Sequence, residues 1–541
     1  MLKIVNGRLM DEDFQAANFV AHIEAIYREP EDASRIWCRL TLIAGNTKLE
    51  LDALPFDEIE SLRFSKIFAG FYCPDQRAER CVRRYICKEI AERLQTDKIG
   101  IIFTHMGWVQ QPNGGWAYVA GDRVIGNVED IDFTFAPELR DTHLSDMELP
   151  NAALLKSLVK LIKKQPDILI PLISYAIRSL LNTPFLALGF PLRFITYLLG
   201  EQGIGKTTTA TKFALPFDTK KPVEMPFGLI DAGSTPAALR RIFDVTRDST
   251  LLLDDIAKTA DQQENKKRRN TASQLIRFVA NAAGRQTVSG NHVKHLFAWC
   301  GMVVTAELQL MSESDITRCV ILVLFKQMKS LTENDRELTA SVYSRFLEYF
   351  ARNYENLSNK IKSFLDNRPV AKESPRQQQH FDELEICFRL LPDFAVTEQA
   401  LTPEKAENLM ELAYKSFDIA YSHNCEILRE MDNAALNHPG RIIWEAINDE
   451  TLKIVKNIKK FKKDPDASDG FWEDDSLIIH LSSIADLFTN VSGRNVSEKE
   501  AGKTLRESGL VAENGENRTA SWKREGLPRM VKLDKKSLKK S

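Results

Sequence analysis

Apolar positions along this 541-residue chain switch repeatedly between strand-like and helix-like spacing, and the switches divide it into blocks. Residues 19–27 read as a strand. Residues 35–43 and 47–51 read as a hairpin about Ala44-Gly45-Asn46, and residues 77–94 have helical periodicity. Residues 100–126 form a two-strand pattern around Pro112-Asn113-Gly114-Gly115, with Trp108, Trp116 and Tyr118 placed as packed sheet residues rather than as a base-stacking platform. Residues 150–182 are helical, with Leu154, Leu155, Leu158, Leu161 and Ile162 recurring every three to four positions. Helical spacing returns at 337–365 and, after a loop at 367–379, runs from 381 to about 458.

The last part is compact. Residues 481–490 predict one helix, and 496–508 predict a second, capped by Ser497 with Glu500 three positions on. A strand starting at Gly509, a tip at Asn514-Gly515-Glu516-Asn517 and a return over 519–523 complete a winged-helix pattern. Residues 456–475 hold five Lys followed by Pro, Gly and acids, and read as a linker.

Composition narrows the class. The 43% hydrophobic and 27% charged content fits a soluble globular chain of several domains. A net charge of −2 means that any nucleic-acid binding must rest on local patches. The first residues, MLKIVNGRLMDEDF, lack an apolar signal region. The apolar stretch 168–199 is broken by Arg178, Pro184, Pro191 and Arg193, which argues against a membrane span. Eight Cys occur without a C-x-x-C pair, and Cys73, Cys81 and Cys87 match no zinc-module spacing, as expected for reduced cysteines of a cytoplasmic protein.

The chemistry starts at residues 200–207, GEQGIGKT, which match G-x-x-x-x-G-K-[ST]. An apolar, β-prone run (194–199) precedes the loop, and a stretch free of Gly and Pro (208–213) follows it, so the motif sits between a strand and a helix. Gly200, Gly203 and Gly205 let backbone N–H groups face phosphates, and the helix N-terminus adds its dipole. Lys206 is expected to reach the β- and γ-phosphates of ATP. Thr207, with Thr208 beside it, is expected to supply a hydroxyl to Mg²⁺. The run Leu251-Leu252-Leu253-Asp254-Asp255, 47 residues after Thr207, is the second nucleotide motif. Asp254 is expected to hold Mg²⁺ and Asp255 to orient and deprotonate the attacking water. Thr305, ending the apolar run Met302-Val303-Val304, is the candidate polar sensor. Arg318 enters a strand from the loop 314–317. It is read either as a finger to a neighbouring subunit's γ-phosphate or as a local ion pair with Asp315 or Glu313.

Several basic features remain. Arg77, Arg80, Arg83 and Arg84 lie along the 77–94 helix, as a solvated face or a DNA contact. Lys266, Lys267, Arg268 and Arg269 fall in 261–270, which reads as a solvated loop or, because it follows the acidic strand, as a DNA contact. The 285–294 segment, RQTVSGNHVK, predicts a hairpin carrying Arg285, His292 and Lys294. The second C-terminal helix presents Lys499, Lys503 and Arg506. Residues 497–541 carry 12 Lys/Arg against 7 Asp/Glu, a net of +5, which fits phosphate contacts, while a winged helix can also serve protein contacts.

In this order GEQGIGKT, LLLDD, RQTVSGNHVK, VVTAE and SDITRCVILVL resemble AAA+ helicases of the pre-sensor-1 hairpin clade. The nearest likeness is to replication-initiator helicases of bacterial mobile elements (staphylococcal pathogenicity islands and cassette chromosomes), distantly similar to minichromosome-maintenance helicases. HMGWVQQPNGGWAYVAGDRVIG is similar to a domain of that group and of phage-type primase-helicases. The resemblance implies a hexameric ring that uses ATP and Mg²⁺ to translocate on DNA, with Arg318 as the finger and Lys294 on the DNA-contacting hairpin. Asp255 stands where Glu is commoner, and Thr305 where Asn is commoner.

The expected fold class is therefore α/β and α. The blocks are an N-terminal α/β domain (1–95), a β-rich connecting subdomain (96–149), an AAA+ parallel-sheet core (150–330), a helical lid (331–455), a linker (456–475) and a winged helix (476–541). The expected function is an ATP-dependent DNA helicase acting as a replication initiator, homo-oligomeric and able to recruit replication accessory proteins. Two alternatives stay open: a non-helicase AAA+ ATPase (remodeller, transposition or defence NTPase), or a nucleotide-gated DNA-binding oligomer.

Overall fold

The computed structural model describes residues 2–11, 14–64, 70–111, 114–126, 132–219, 228–231, 236–256, 262–281, 285–289, 292–308, 310, 312–327, 331–332, 334–368, 374–436, 438–448, 450–492, 496–511 and 530–540. It divides into two units, Met1–Leu310 with Arg318–Tyr421, and Met311–Thr317 with Ser422–Ser541.

In the first unit the alternation of residues 20–55 builds three antiparallel strands, Val20–Arg28, Ile36–Ala44 and Thr47–Pro55. Helix Gln76–Thr96 buries Val82, Ile86 and Ile90, spaced four apart, against them. Two further strands join the same sheet, Gly100–Phe103 and Phe133–Phe135, giving a five-stranded order with the 133–135 strand at one edge. The sheet therefore takes strands from beyond residue 95, because pairing is set by register rather than by nearness in sequence. Along the helix, Arg83 donates to the Leu62 carbonyl at 2.8 Å, whereas Arg77, Arg80 and Arg84 are exposed.

Strands Gly107–Gln110 and Trp116–Val119 pair antiparallel, as the turn signal predicts. Trp108 and Tyr118 are buried, and Trp116 stacks on Tyr354 with centroids 4.5 Å apart, so the three aromatics serve packing. This hairpin is tied to the start of the acidic strand by Asp248. Its carboxylate accepts from Trp108 N–H (3.0 Å), Thr183 N–H (2.6 Å) and the Thr183 hydroxyl (2.7 Å). Burial pushes this carboxyl up to about 6 despite those bonds.

The central sheet is five parallel strands in the order Leu229–Asp231, Thr250–Ile256, Gly301–Ala306, Ile195–Gly200, Cys319–Leu324. All six residues of Gly301–Ala306 are buried, and Cys319–Leu324 is nearly so, as a sheet covered on both faces demands. Helix Pro166–Leu180 covers it and is buried along its whole length after Asp167. Residues 262–270 lie within helix Gln262–Ala280, not in a loop. Gln, Glu, Lys and Arg are good helix formers, so their charge did not signal a break.

Arg178 is fully buried and pairs Nε to Glu383 at 2.8 Å, joining helix Pro166–Leu180 to helix Pro375–Thr397. It also donates to the Phe190 carbonyl at 2.7 Å and lies 4.0 Å over the Phe185 ring. Arg178→Leu strands a buried carboxylate, so unfolding free energy should fall by about 3–5 kcal/mol. A denaturant titration of the variant, with Arg178→Leu/Glu383→Leu as the recovering control, checks this.

In the second unit, helix Pro439–Asn448 and a four-stranded sheet frame helices Leu481–Ser492 and Glu498–Glu507. Residues 456–475, expected to be a linker, hold helix Ile458–Phe461 and strand Gly470–Glu473, which pairs with Ser476–His480. Phe461 and Phe471 are fully buried; the lysines around them are the solvated side of a packed segment. Ser497 caps the second helix, accepting from Glu500 N–H as predicted. The tip at 514–517 and the return at 519–523 lie outside the described residues, whereas strand Met530–Asp534 pairs with Ser476–His480.

Candidate active site

The site forms where three neighbouring parallel strands end. Ile195–Gly200 runs into the glycine loop, whose backbone turns left-handed at Gly203 (φ 74°) and Gly205 (φ 88°) before helix Lys206–Phe213 begins. Only glycine adopts those angles without strain. Gly200 also abuts the next strand: a Cβ there would lie 2.9 Å from the Leu324 carbonyl oxygen. Lys206 Nζ donates to the Gly200 and Glu201 carbonyls at 2.9 and 2.8 Å, so its ammonium is held at the loop's mouth. Thr208 is exposed one position on.

The acidic strand Thr250–Ile256 and the strand Gly301–Ala306 bring their polar ends to the same place. The Thr207 hydroxyl donates to Asp254 Oδ1 at 2.7 Å, and the Thr305 hydroxyl donates to the same oxygen. Thr305 is buried, and its strand lies between those carrying the loop and the acids, the order that the sensor reading requires. The pairing register shifts between Leu253 and Ile256, so an irregularity of the strand falls at the two acids. Asp255 is in this strand; its side chain lies outside the described residues.

These residues fit a magnesium nucleoside triphosphate. A hydroxyl and a carboxylate 2.7 Å apart are hard oxygen donors suited to Mg²⁺. An ammonium, two left-handed glycines and a helix N-terminus face the position of the phosphates.

Arg318 is elsewhere. Ile195 is in register with Cys319, and Gly200 with Leu324, so Arg318 lies at the opposite end of the sheet from the loop. Six residues of strand separate them, roughly 20 Å, further than an arginine side chain extends. Arg318 Nε donates to Asn281 Oδ1 at 3.1 Å. Sequence reading gave little reason to place Arg193 and Arg376 near it. Burial, then repulsion from Arg318 and Arg193, holds the Arg376 guanidinium below its ordinary range. Gln377, next to Arg376, donates to the Cys319 carbonyl at 3.0 Å and fixes this corner. The register of strands 195–200 and 319–324 places Arg318, and the packing of helix Pro375–Thr397 brings Arg376 to it.

The 285–294 segment forms the predicted antiparallel pair, Arg285–Ser289 with His292–Leu296. Thr287 faces Lys294 and Ser289 faces His292 in its register. The side chains of Arg285, His292 and Lys294, and the tip between the strands, lie outside the described residues. On helix Glu498–Glu507, Lys499, Lys503 and Arg506 are exposed, opposite buried Ala501 and Leu505. Among the described residues no helix is long and apolar enough to cross a membrane.

Residues 196–336 match the model of the ATPase family associated with various cellular activities (AAA). The chain carries an ATPase domain. The match spans the glycine loop, the acidic strand, Thr305 and Arg318. No curated protein matches the chain significantly. Among solved structures, a chain described as "SCCmec type IV Cch - active helicase" aligns with a TM-score of 0.52 at 11% identity, covering 99% of this chain and 98% of that one. The fold is therefore similar along the whole length. The helicase of JCV aligns at 12% identity over 50% of this ATPase and 74% of that chain, with a TM-score of 0.21, too low to carry any argument.

Proposed function

We propose that this ATPase is a DNA helicase that works as a hexameric ring and initiates replication of a mobile element. The observation that carries the reading is the split of the catalytic parts across the sheet. Thr207, Asp254 and Thr305 converge at one end, while Arg318 is at the other. Arg318 serves a triphosphate only if that triphosphate belongs to a second copy of the chain. Fold similarity to a chain described as an active helicase supports the same reading.

In this mechanism Lys206 and the glycine-loop N–H groups would hold the phosphates, and Thr207 and Asp254 would hold Mg²⁺, which would supply neutralisation of the triphosphate's charge. Asp255 takes the proton of the attacking water. Thr305 keeps Asp254 oriented through its hydroxyl. Arg318 of the neighbouring subunit stabilises charge that develops on the γ-phosphate. The paired strands 285–289 and 292–296, between helix Gln262–Ala280 and the Thr305 strand, carry Arg285, His292 and Lys294 to single-stranded DNA. Duplex DNA meets Lys499, Lys503 and Arg506.

Single-stranded DNA should accelerate ATP hydrolysis by the full chain, and unchanged turnover at saturating DNA would reject the motor reading. Replacing Lys499, Lys503 and Arg506 together by Ala should weaken duplex binding and lower the slope of log affinity against log salt by about 3. Fluorescence anisotropy over a salt series measures it. Truncation near 475 is unsuitable, because it would cut between the paired strands Gly470–Glu473 and Ser476–His480.

A further inference from the structure

The glycine loop, Asp254 and Thr305 account for the phosphate and metal end of a nucleotide, and nothing so far holds its base. We propose that Phe325 is the platform on which the purine base of the nucleoside triphosphate stacks. The inference rests on the ATPase reading and extends it to the rest of the ligand.

The loop strand Ile195–Gly200 has a neighbour on each side. On one side lie Gly301–Ala306 and, beyond it, Thr250–Ile256, which bring Thr305 and Asp254 to the Thr207 hydroxyl. The metal and the terminal phosphate therefore belong on that side. A nucleoside triphosphate is a chain with its base at the end remote from the γ-phosphate. With the γ end fixed towards Asp254, the ribose and base leave the loop on the other side, over the end of Cys319–Leu324.

Phe325 is the first residue past that end. Leu324 is in register with Gly200, and its carbonyl oxygen would be 2.9 Å from a Cβ at Gly200. Three residues after Leu324, Gln327 Cγ would be 3.8 Å from a Cβ at Gly205. Residues 324–327 thus run along the flank of the phosphate loop. Further on, Lys212, on the helix that the loop starts, donates to the Thr332 carbonyl. Between these attachments Phe325 is 78% exposed, the most exposed large apolar side chain among the described residues, while Leu322 and Leu324 are buried. Single exposed apolar residues are ordinary on a protein surface. This one is distinguished by its place, one strand spacing, about 4.8 Å, from the strand that enters the loop. An aromatic face stacks on any base and gains most from the larger purines.

The test is equilibrium binding to the full-length chain of Mg·ATP and, separately, of Mg·tripolyphosphate, which has the phosphates but no base. The wild type should bind ATP more tightly than tripolyphosphate. Phe325→Ala should lose about tenfold in ATP affinity, the equivalent of one stacked ring, and leave tripolyphosphate affinity unchanged. Phe325→Trp should restore ATP binding, and its emission should change with ATP but not with tripolyphosphate. The proposal is overturned if Phe325→Ala binds ATP like the wild type, even where that variant assembles poorly, since Phe325 would then be a subunit contact. It is also overturned if both ligands weaken equally, which would mean a distorted loop. If the wild type binds neither ligand, the ATPase reading falls first and takes this one with it.

Discussion

Lys206→Ala is expected to reduce kcat/KM for ATP by about 10²- to 10³-fold or more, to the limit of detection. Its ammonium sits on the Gly200 and Glu201 carbonyls at the mouth of the loop, where it would transfer to phosphate oxygens. Those two carbonyls face partly exposed surroundings, so losing their donor leaves no buried group stranded. The variant should therefore fold normally, with a melting temperature near that of the wild type. Phosphate-release kinetics alongside thermal melting separate the two effects. Lost turnover in a folded chain supports the assignment, and retained turnover removes Lys206 from the chemistry.

Arg318→Ala should cost as much or more, about 10³- to 10⁵-fold in turnover, with ATP binding retained. The geometry makes a further demand. Arg318 is six strand residues away from its own loop, so on the proposed ring reading the two variants damage different halves of a shared site. Mixing Lys206→Ala chains with Arg318→Ala chains should restore part of the ATPase activity, because some interfaces then pair an intact loop with an intact arginine. Two inactive preparations that stay inactive after subunit exchange would mean that Arg318 acts within its own chain or not at all.

The conformation of the glycine loop was legible because its requirements are local. Left-handed backbone at Gly203 and Gly205 and a lysine at the start of a helix are written in eight consecutive residues. Asp254 was legible for a related reason: a buried strand that ends in acids has few other uses. That Thr207, Asp254 and Thr305 share one carboxylate oxygen depends on the order of three strands from separate parts of the chain, which spacing suggests and only pairing establishes. Placing Arg318 at the far end needed the register of Cys319–Leu324. The grouping of Arg193 and Arg376 with it needed the packing of a helix more than fifty residues later.

The misread stretches have physical causes too. In 456–475, five lysines and the acids outweighed Phe461, Phe471 and Trp472, yet burying a few large side chains is enough to fold a short segment. In 262–270, charge was read as a loop, although side chains such as Lys and Arg lose little freedom in a helix. Strands Gly100–Phe103 and Phe133–Phe135 joined the N-terminal sheet across a hairpin that belongs to a separate three-stranded sheet.

The most direct test of the central claim is strand displacement from forked DNA by the full-length chain, with both fork polarities and with Lys206→Ala as control. The account predicts unwinding of one polarity that requires ATP and Mg²⁺ and vanishes in the variant. ATP hydrolysis without displacement of either fork would contradict it and leave an ATPase with another task.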